Sequence, residues 1–507
     1  MQTVRRSVLS LATAGKEFTR SVAVNSAAVV TNDDNNLKSW KEIPGPSSLP
    51  IIGQLLHFLP RGSLHENFVT SVLYDQYGPI VKIGFFGSPS IVLLFDAEAS
   101  AQVLRSENLM PIRTTFQSLD YFRHNYYRQR GAAPNEPTGL VSDHGDVWKK
   151  FRSTVNPIML KPKTIKLYTN SLTEVAEDMV KRMRSIRNEK YMLKGKFDFE
   201  MNLWALEAIG VVALGGRLNC FDHNLPQESP TRKLIQIVHD IFTTADRLDF
   251  KPNLWRYFST PNFKKAMKLY EEQINICEYF VAKAIKEFKT QSQTSTEEKG
   301  VLEKLLEIDE KIAVIMASDM LVAGVDTVSN TMTGTLYLLA KNPDKQKKLR
   351  EEILSDKQKR PYLKACIKES MRMMPVVPGN LRVATKEYNI FGYKILKGTH
   401  VIFMHQALSN MEKHFPEPEK YIPERWITEK TDALFHRNAH PFAWNPFGFG
   451  MRMCIGRRIA ELEIETFLAK VIENFEVEWF GPPLQTRPSS LNYTVGPYNF
   501  IFKDAKK

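Results

Sequence analysis

The chain has 507 residues, 43% of them hydrophobic, and a formal net charge of +13. That length and apolar share supply a large buried core, and four scattered cysteines cannot frame a disulfide-stapled secreted fold. The positive charge suits an acidic protein or an anionic membrane surface; with no basic ribbon interleaved with aromatics and no helix-turn-helix or RNA-binding motif, nucleic acid is not an expected partner.

Residues 1–31 hold Arg5, Arg6, Lys16 and Arg20 against a single acid, Glu17, and are rich in serine, threonine and alanine. Basic, acid-poor and Ser-rich is the composition of a mitochondrial transit peptide. With the polar NDDNN stretch, 1–36 are expected to be transit peptide and linker, and 37–507 a single domain. No run of about 18 uninterrupted apolar residues occurs, so nothing is expected to span a bilayer. Two β-branched runs, IVKIGFF and SIVLLF, flank GSP and predict a hairpin. From about Asp96 to Leu354 the apolar period is near 3.6, which predicts long helices. Strand character returns from Lys386 to His405, with Gly392 and Gly398 at turns. A long helix is expected over Ile459 to Phe475, and NYTVGPYNFIF near the C-terminus reads as a last hairpin. The fold class is therefore mainly α with a small β portion. No C-x-x-C pair or His/Cys cluster outlines a zinc site.

Within this frame one cysteine has unusual surroundings. A lone cysteine is most often a packed core thiol. Cys454, however, follows Gly448, Gly450 and Arg452 and precedes Gly456 and the expected start of a helix. The glycines let the backbone curl close to something flat. Free N–H groups at the helix start favour a thiolate, and Arg452 can pair with a carboxylate outside the chain. A thiolate without a partner cysteine suits an axial metal ligand.

Phe447-Gly448-Phe449-Gly450-Met451-Arg452-Met453-Cys454-Ile455-Gly456 matches F-x-x-G-x-R-x-C-x-G and resembles the haem-binding loop of the cytochrome P450 family of haem-thiolate monooxygenases. Other motifs follow in the family's order. Glu369 and Arg372 match E-x-x-R, and Arg425 in PERW matches the third member of that structural network. Trp148 and Arg152 match W-x-x-x-R, with His144 standing where an asparagine is common. Ala323-Gly324-Val325-Asp326-Thr327 resembles (A/G)-G-x-(D/E)-T. The resemblance implies haem b, with Cys454 as axial ligand to its iron, held between a long central helix and the helix after the cysteine loop. Phe447 belongs to that cofactor-binding loop. Trp148, Arg152, Arg382 and Arg452 would meet the haem propionates, Gly324 would leave room for dioxygen, and Asp326 with Thr327 would relay protons.

Lys364, Lys368, Arg457 and Arg458 resemble the cations with which mitochondrial members dock an adrenodoxin-type ferredoxin, itself fed by an NADPH-dependent reductase. This implies a protein on the matrix side of the inner membrane, in peripheral contact with it. The resemblance implies substrate contacts from Phe116–Arg130, Phe221–Phe263, the helix before Thr327, Val376–Leu381 and Asn492–Val495, whose apolar and aromatic residues suit a large lipophilic substrate. SLPIIGQLLHFLP and MPIRTTFQSLDYFR are most similar to an arthropod ecdysteroid hydroxylase acting at side-chain carbon 22. Another sterol or a xenobiotic is the alternative substrate. A haem-thiolate isomerase or a haem sensor is the alternative function, and retention of Asp326 and Thr327 argues against the isomerase.

Overall fold

A computed structural model describes residues 37–506 except 60–61, 63, 65–71, 85–90, 194–195, 223, 225, 227, 252, 291–298, 356–358 and 488–490. The expected transit segment and the GSP turn lie outside the described residues. The centre is the helix Glu310–Lys341, whose 32 residues extend about 48 Å at 1.5 Å per residue. Asp309 caps it by accepting hydrogen bonds from the Lys311 and Ile312 amides. It is long and apolar enough to cross a membrane by composition, but most of its apolar window is buried in the fold, as a core helix requires. Along it runs the helix Phe197–Ala213, also buried on nearly all sides. Helices Gln117–Gln129, Pro230–Asp249 and Pro261–Thr290 pack on one another beside the central helix, and Pro361–Met373 and Arg457–Asn474 pack on it as well.

The β portion is small. β1 (Ile80–Ile83) pairs antiparallel with β2 (Ile91–Leu94), as the alternation predicts. β3 (Asn380–Val383) bears Arg382. β4 (Tyr388–Ile390) and β5 (Tyr393–Ile395) form a hairpin with Gly392 at its turn, φ +78°. β6 (His400–Phe403) lies between β2 and β3, completing a four-stranded sheet. Ile112 bridges Val383 at the edge of that sheet, which brings Arg113 next to Arg382.

The expected C-terminal hairpin is not formed. β7 (Phe475–Trp479) pairs with β10 (Phe500–Asp504), and β8 (Gln485–Arg487) pairs with β9 (Tyr493–Val495). The reason is burial. Phe475, Val477, Phe500 and Phe502 all turn into the core, so β7 and β10 share one apolar face, whereas β9 is half-exposed and β8 fully exposed. Period-2 alternation marks both partners but does not name the pairing.

Candidate active site

The cysteine loop closes on itself. The Cys454 amide donates to the Phe447 carbonyl at 2.8 Å, and the Met453 amide donates to Gly450 at 3.1 Å. Gly448 and Gly450 hold φ of +72° and +73°, a region costly for any residue with a Cβ. The helix Arg457–Asn474 begins three residues after the cysteine.

Cys220, Cys277 and Cys366 are buried, and burial pushes each thiol well up; Cys454 alone is exposed. Its sulfur nevertheless lies deep among protein atoms, in a space that solvent reaches. That depth pushes the thiol up, while the Gly456 N–H and the charges of Arg152, Arg113 and Arg457 pull it back towards thiolate.

Four arginines gather around this loop, and one of them, Arg113, carries no motif. Arg152 donates to the Met453 carbonyl at 2.8 Å. Arg382 donates to the Phe449 carbonyl at 3.1 Å and pairs with Glu107 at 2.7 Å. Burial and repulsion from Arg382 push Arg113 down to about 10, and burial with repulsion from Arg113 and the others pushes Arg452 down to about 9. Buried positive groups that repel one another, with Glu107 the acid paired among them, call for an anion. Unused buried donors point the same way: Nε of Arg113 and of Arg152, and Nε1 of Trp148, have no hydrogen-bond partner. A flat group that offers a metal to sulfur and two carboxylates to arginine fits this set.

Arg452 departs from its expected part. Its guanidinium lies 3.9 Å from the Trp148 ring centroid. It donates to the carbonyls of Pro111 (3.0 Å), Leu140 (2.9 Å) and Asp143 (2.7 Å) and meets His144 Nδ1 at 3.0 Å. Three carbonyls converging on one planar fork satisfy most of its five N–H groups. As placed, Arg452 staples the 111 and 140–143 loops to the cysteine loop, and Arg113, Arg152 and Arg382 remain for an external anion.

Gly324 also departs from expectation. A Cβ there would meet Ile209 Cγ1 at 2.8 Å, so the glycine permits the close approach of helix Phe197–Ala213. The open side of the central helix at this level belongs to Ala323, the exposed residue in a stretch otherwise buried or half-buried. Thr327 Oγ1 donates to the Ala323 carbonyl at 2.6 Å. Asp326 is 1% exposed, points instead towards β9, and accepts a hydrogen bond from Tyr493 at 3.2 Å. Burial raises its carboxyl to about 6, partly offset by His239 and Tyr493, while the charge of Asp198 raises it further.

On the far side of the cysteine loop, Glu369, Arg372 and Arg425 meet with no exposure. Arg372 binds Glu369 through both Nε (3.0 Å) and one terminal nitrogen (2.8 Å), and Arg425 Nε reaches the same carboxylate at 3.0 Å. Trp426 Nε1 donates to it at 2.9 Å. The tryptophan stands in PERW, but nothing in its spacing marks it as a donor.

The four expected docking cations are not a free patch. Lys364 pairs with Glu465 at 3.4 Å and Arg457 with Glu461 at 2.9 Å. Lys368 is half-buried with its ammonium 5.8 Å from the Trp426 ring, and Arg458 is exposed. Among the described residues no group of three or more His, Cys, Asp or Glu could hold a metal ion.

The cytochrome P450 family profile matches residues 43–502. The chain is a cytochrome P450. It is 37% identical to cytochrome P450 CYP12A2 of Musca domestica over 92% of each chain. It is 34% identical to probable cytochrome P450 12a5, mitochondrial, of Drosophila melanogaster over 94% of each, and 33% identical to probable cytochrome P450 49a1 of that fly over 95% of this chain and 86% of the relative. The cytochrome P450DA haem domain shares the fold, with a TM-score of 0.72 at 20% identity over 93% of this chain and 98% of that one. A retinoic acid bound cyanobacterial CYP120A1 does so with a TM-score of 0.69 over 92% of this chain and 100% of that one. This P450 is accordingly a haem-thiolate monooxygenase with haem as cofactor, and the arginine cradle and the sulfur facing open space suit that group.

Proposed function

We propose that this P450 works in mitochondria as a hydroxylase of a large lipophilic substrate, taking electrons from an adrenodoxin-type ferredoxin fed by an NADPH-dependent reductase. The relative 12a5 of Drosophila melanogaster, named above, is called mitochondrial, and the basic N-terminus agrees with that place. The observation that carries the chemistry is Cys454: its sulfur faces open space inside a cluster of buried arginines. In this reading Cys454 ligates haem iron, and Arg113, Arg152, Arg382 and Trp148 hold the propionates. Bound haem supplies oxygen activation. Asp326 and Thr327 hold and pass protons to the distal side, and Glu369, Arg372 and Arg425 keep the core around the cofactor rigid. Arg458, with Lys364, Lys368 and Arg457, meets the ferredoxin. Leu49, Ile51, Leu56 and Leu59, and separately Leu254, Tyr257 and Phe258, are exposed apolar side chains suited to lying on the matrix face of the inner membrane.

The substrate reading is an ecdysteroid precursor hydroxylated at side-chain carbon 22. An apolar cluster of Phe242, Val376 and Leu491, with Phe116, Val322 and Val377 packed on it, joins the segments expected to touch substrate and suits a steroid skeleton. Oxidation of another sterol or of a xenobiotic is the second reading. Turnover of a ketodiol-type ecdysteroid precursor with ferredoxin and its reductase, compared with microsomal reductase, tests both points. A 22-hydroxylated product with ferredoxin only is expected. Product with microsomal reductase alone contradicts the electron route, and no 22-hydroxylation contradicts the substrate. Thr327→Ala is expected to lower product formed per NADPH, and unchanged coupling contradicts the relay.

A further inference from the structure

On an α-helix, neighbouring residues point about 100° apart, so Asp326 and Thr327 do not face each other. Here they part company fully. The Thr327 hydroxyl returns to its own helix at Ala323, while the Asp326 carboxylate is buried against the β8–β9 hairpin. Three hydrogen bonds fasten that hairpin to the central helix. Tyr493 O–H donates to Asp326 Oδ2 at 3.2 Å. One turn further on, the amide and the hydroxyl of Thr494 both donate to Asn330 Oδ1, at 2.9 and 3.0 Å. At the other end of β9, the Asn492 side chain donates to Pro375 at 2.7 Å and to Gln406 at 2.9 Å, and its amide donates to Val376 at 2.7 Å. Tyr493 itself packs against the apolar cluster of Phe242, Val376 and Leu491. One side chain therefore touches both the buried acid of the central helix and the apolar cluster that the proposed function assigns to substrate.

We propose that Tyr493 is a positioning residue for proton delivery: its hydroxyl fixes the Asp326 carboxylate, and the hairpin that carries it transmits substrate occupancy to that carboxylate. This rests on the reading of Asp326 as a relay acid. Because the O–H donates, the bond favours the charged carboxylate, and a shift of β9 weakens it and frees Asp326 to take up a proton. The proton then comes from solvent and goes onto a carboxylate oxygen, and it leaves towards Thr327 only once the carboxyl has turned away from Tyr493, with no net change at Tyr493. The charged and titratable groups around this pair are His239 on helix Pro230–Asp249, Asp198 on helix Phe197–Ala213, and, beside Tyr493, Asp246 and Arg487. The Arg487 guanidinium lies 5.7 Å from the Tyr493 ring centroid.

The test compares Tyr493→Phe, Thr494→Val and Asp326→Asn in the reconstituted system, reading product per NADPH consumed against pH. Tyr493→Phe is expected to reduce coupling about threefold to tenfold, the worth of one ordinary hydrogen bond. It is also expected to move the pH midpoint of coupling up by roughly half a unit to one unit. Thr494→Val removes the hydroxyl bond to Asn330 but keeps the amide bond and the Tyr493 hydroxyl, so it is expected to raise KM and to move the midpoint far less than Tyr493→Phe does. If Asp326→Asn uncouples the enzyme while Tyr493→Phe keeps wild-type coupling and midpoint, the positioning role is overturned. If Asp326→Asn has no effect on coupling, the relay reading itself fails. If Thr494→Val shifts the midpoint as far as Tyr493→Phe does, the tyrosine hydroxyl has no special part and the proposal is overturned.

Discussion

Glu369 and Arg425 stand 56 residues apart in the chain and meet at 3.0 Å with no solvent exposure. Arg372 holds the same carboxylate through two nitrogens, and the carbonyls of Ser409, Pro418 and Pro416 take up further guanidinium protons. A buried set of this kind tolerates no missing member. Glu369→Ala leaves two buried cations against one another and is expected to cost about 3–5 kcal/mol. Thermal unfolding and haem content after expression check this. Arg372→Lys keeps the charge but loses the fork, and a smaller loss in the same direction is expected.

Arg113 is the arginine that no motif announced. Its Nε has no partner, and its neighbours Arg382 and Arg152 repel it. Arg113→Leu is expected to relieve that repulsion in haem-free protein and to remove an anchor from the holoenzyme. Haem transfer to an apo-globin acceptor should be about tenfold faster or more, the worth of one charge-assisted hydrogen bond. An unchanged transfer rate would show that the propionates lie elsewhere.

Gly324 packs closely on Ile209, and Ala323 is the exposed residue beside it. Gly324→Ala places a methyl 2.8 Å from Ile209 Cγ1 and is expected to cost about 1–3 kcal/mol of stability with coupling preserved. Adding Ile209→Val should recover part of the loss, and the double-mutant cycle measures how much. Ala323→Leu is expected to do the reverse, leaving stability near wild type and slowing turnover by filling the open side.

These cases show what the chain's letters disclose. The helical body, the first hairpin and the start of the helix after Cys454 are legible because apolar period and glycine placement act locally. The three-residue spacing of Glu369 and Arg372 is legible for the same reason. What stays hidden is set by distant partners. Arg452 was expected to face an external carboxylate, but three carbonyls from other loops surround it. β9 and β10 were expected to pair, but β10 follows the apolar face of β7. The parting of Asp326 from Thr327 depends on a hairpin more than 160 residues downstream, at Tyr493 (separation 167).

The salt dependence of ferredoxin turnover follows from the mixed charge around Arg458. Lys364 and Arg457 are each engaged by a glutamate and Lys368 lies half-buried on Trp426, so Arg458 offers the most accessible charge among those four positions. Arg458→Glu is expected to raise the KM for ferredoxin by about fivefold at low salt, with the difference shrinking as salt is added. Lys368→Glu should act partly through stability, since the lysine is half-buried at Trp426.

Asp249 ties helix Pro230–Asp249 to helix Gln117–Gln129, accepting from the Ser118 amide at 2.9 Å and its hydroxyl at 2.6 Å. Burial raises its carboxyl to about 7, against the bonds from Ser118 that lower it. A raised acid binds its proton more tightly when folded, so its contribution is full below about pH 4 and is lost as pH rises through about 7. Denaturation midpoints between pH 5 and 8 are expected to fall less steeply with pH in Asp249→Asn than in the wild type.

The central claim is that the Cys454 sulfur binds haem iron. The optical spectrum of reduced, carbon-monoxide-treated protein tests it directly, comparing wild type with Cys454→Ser. The wild type is expected to show the long-wavelength Soret band of a thiolate-ligated haem, and the serine variant to lack it. A serine variant that retains that band would contradict the account.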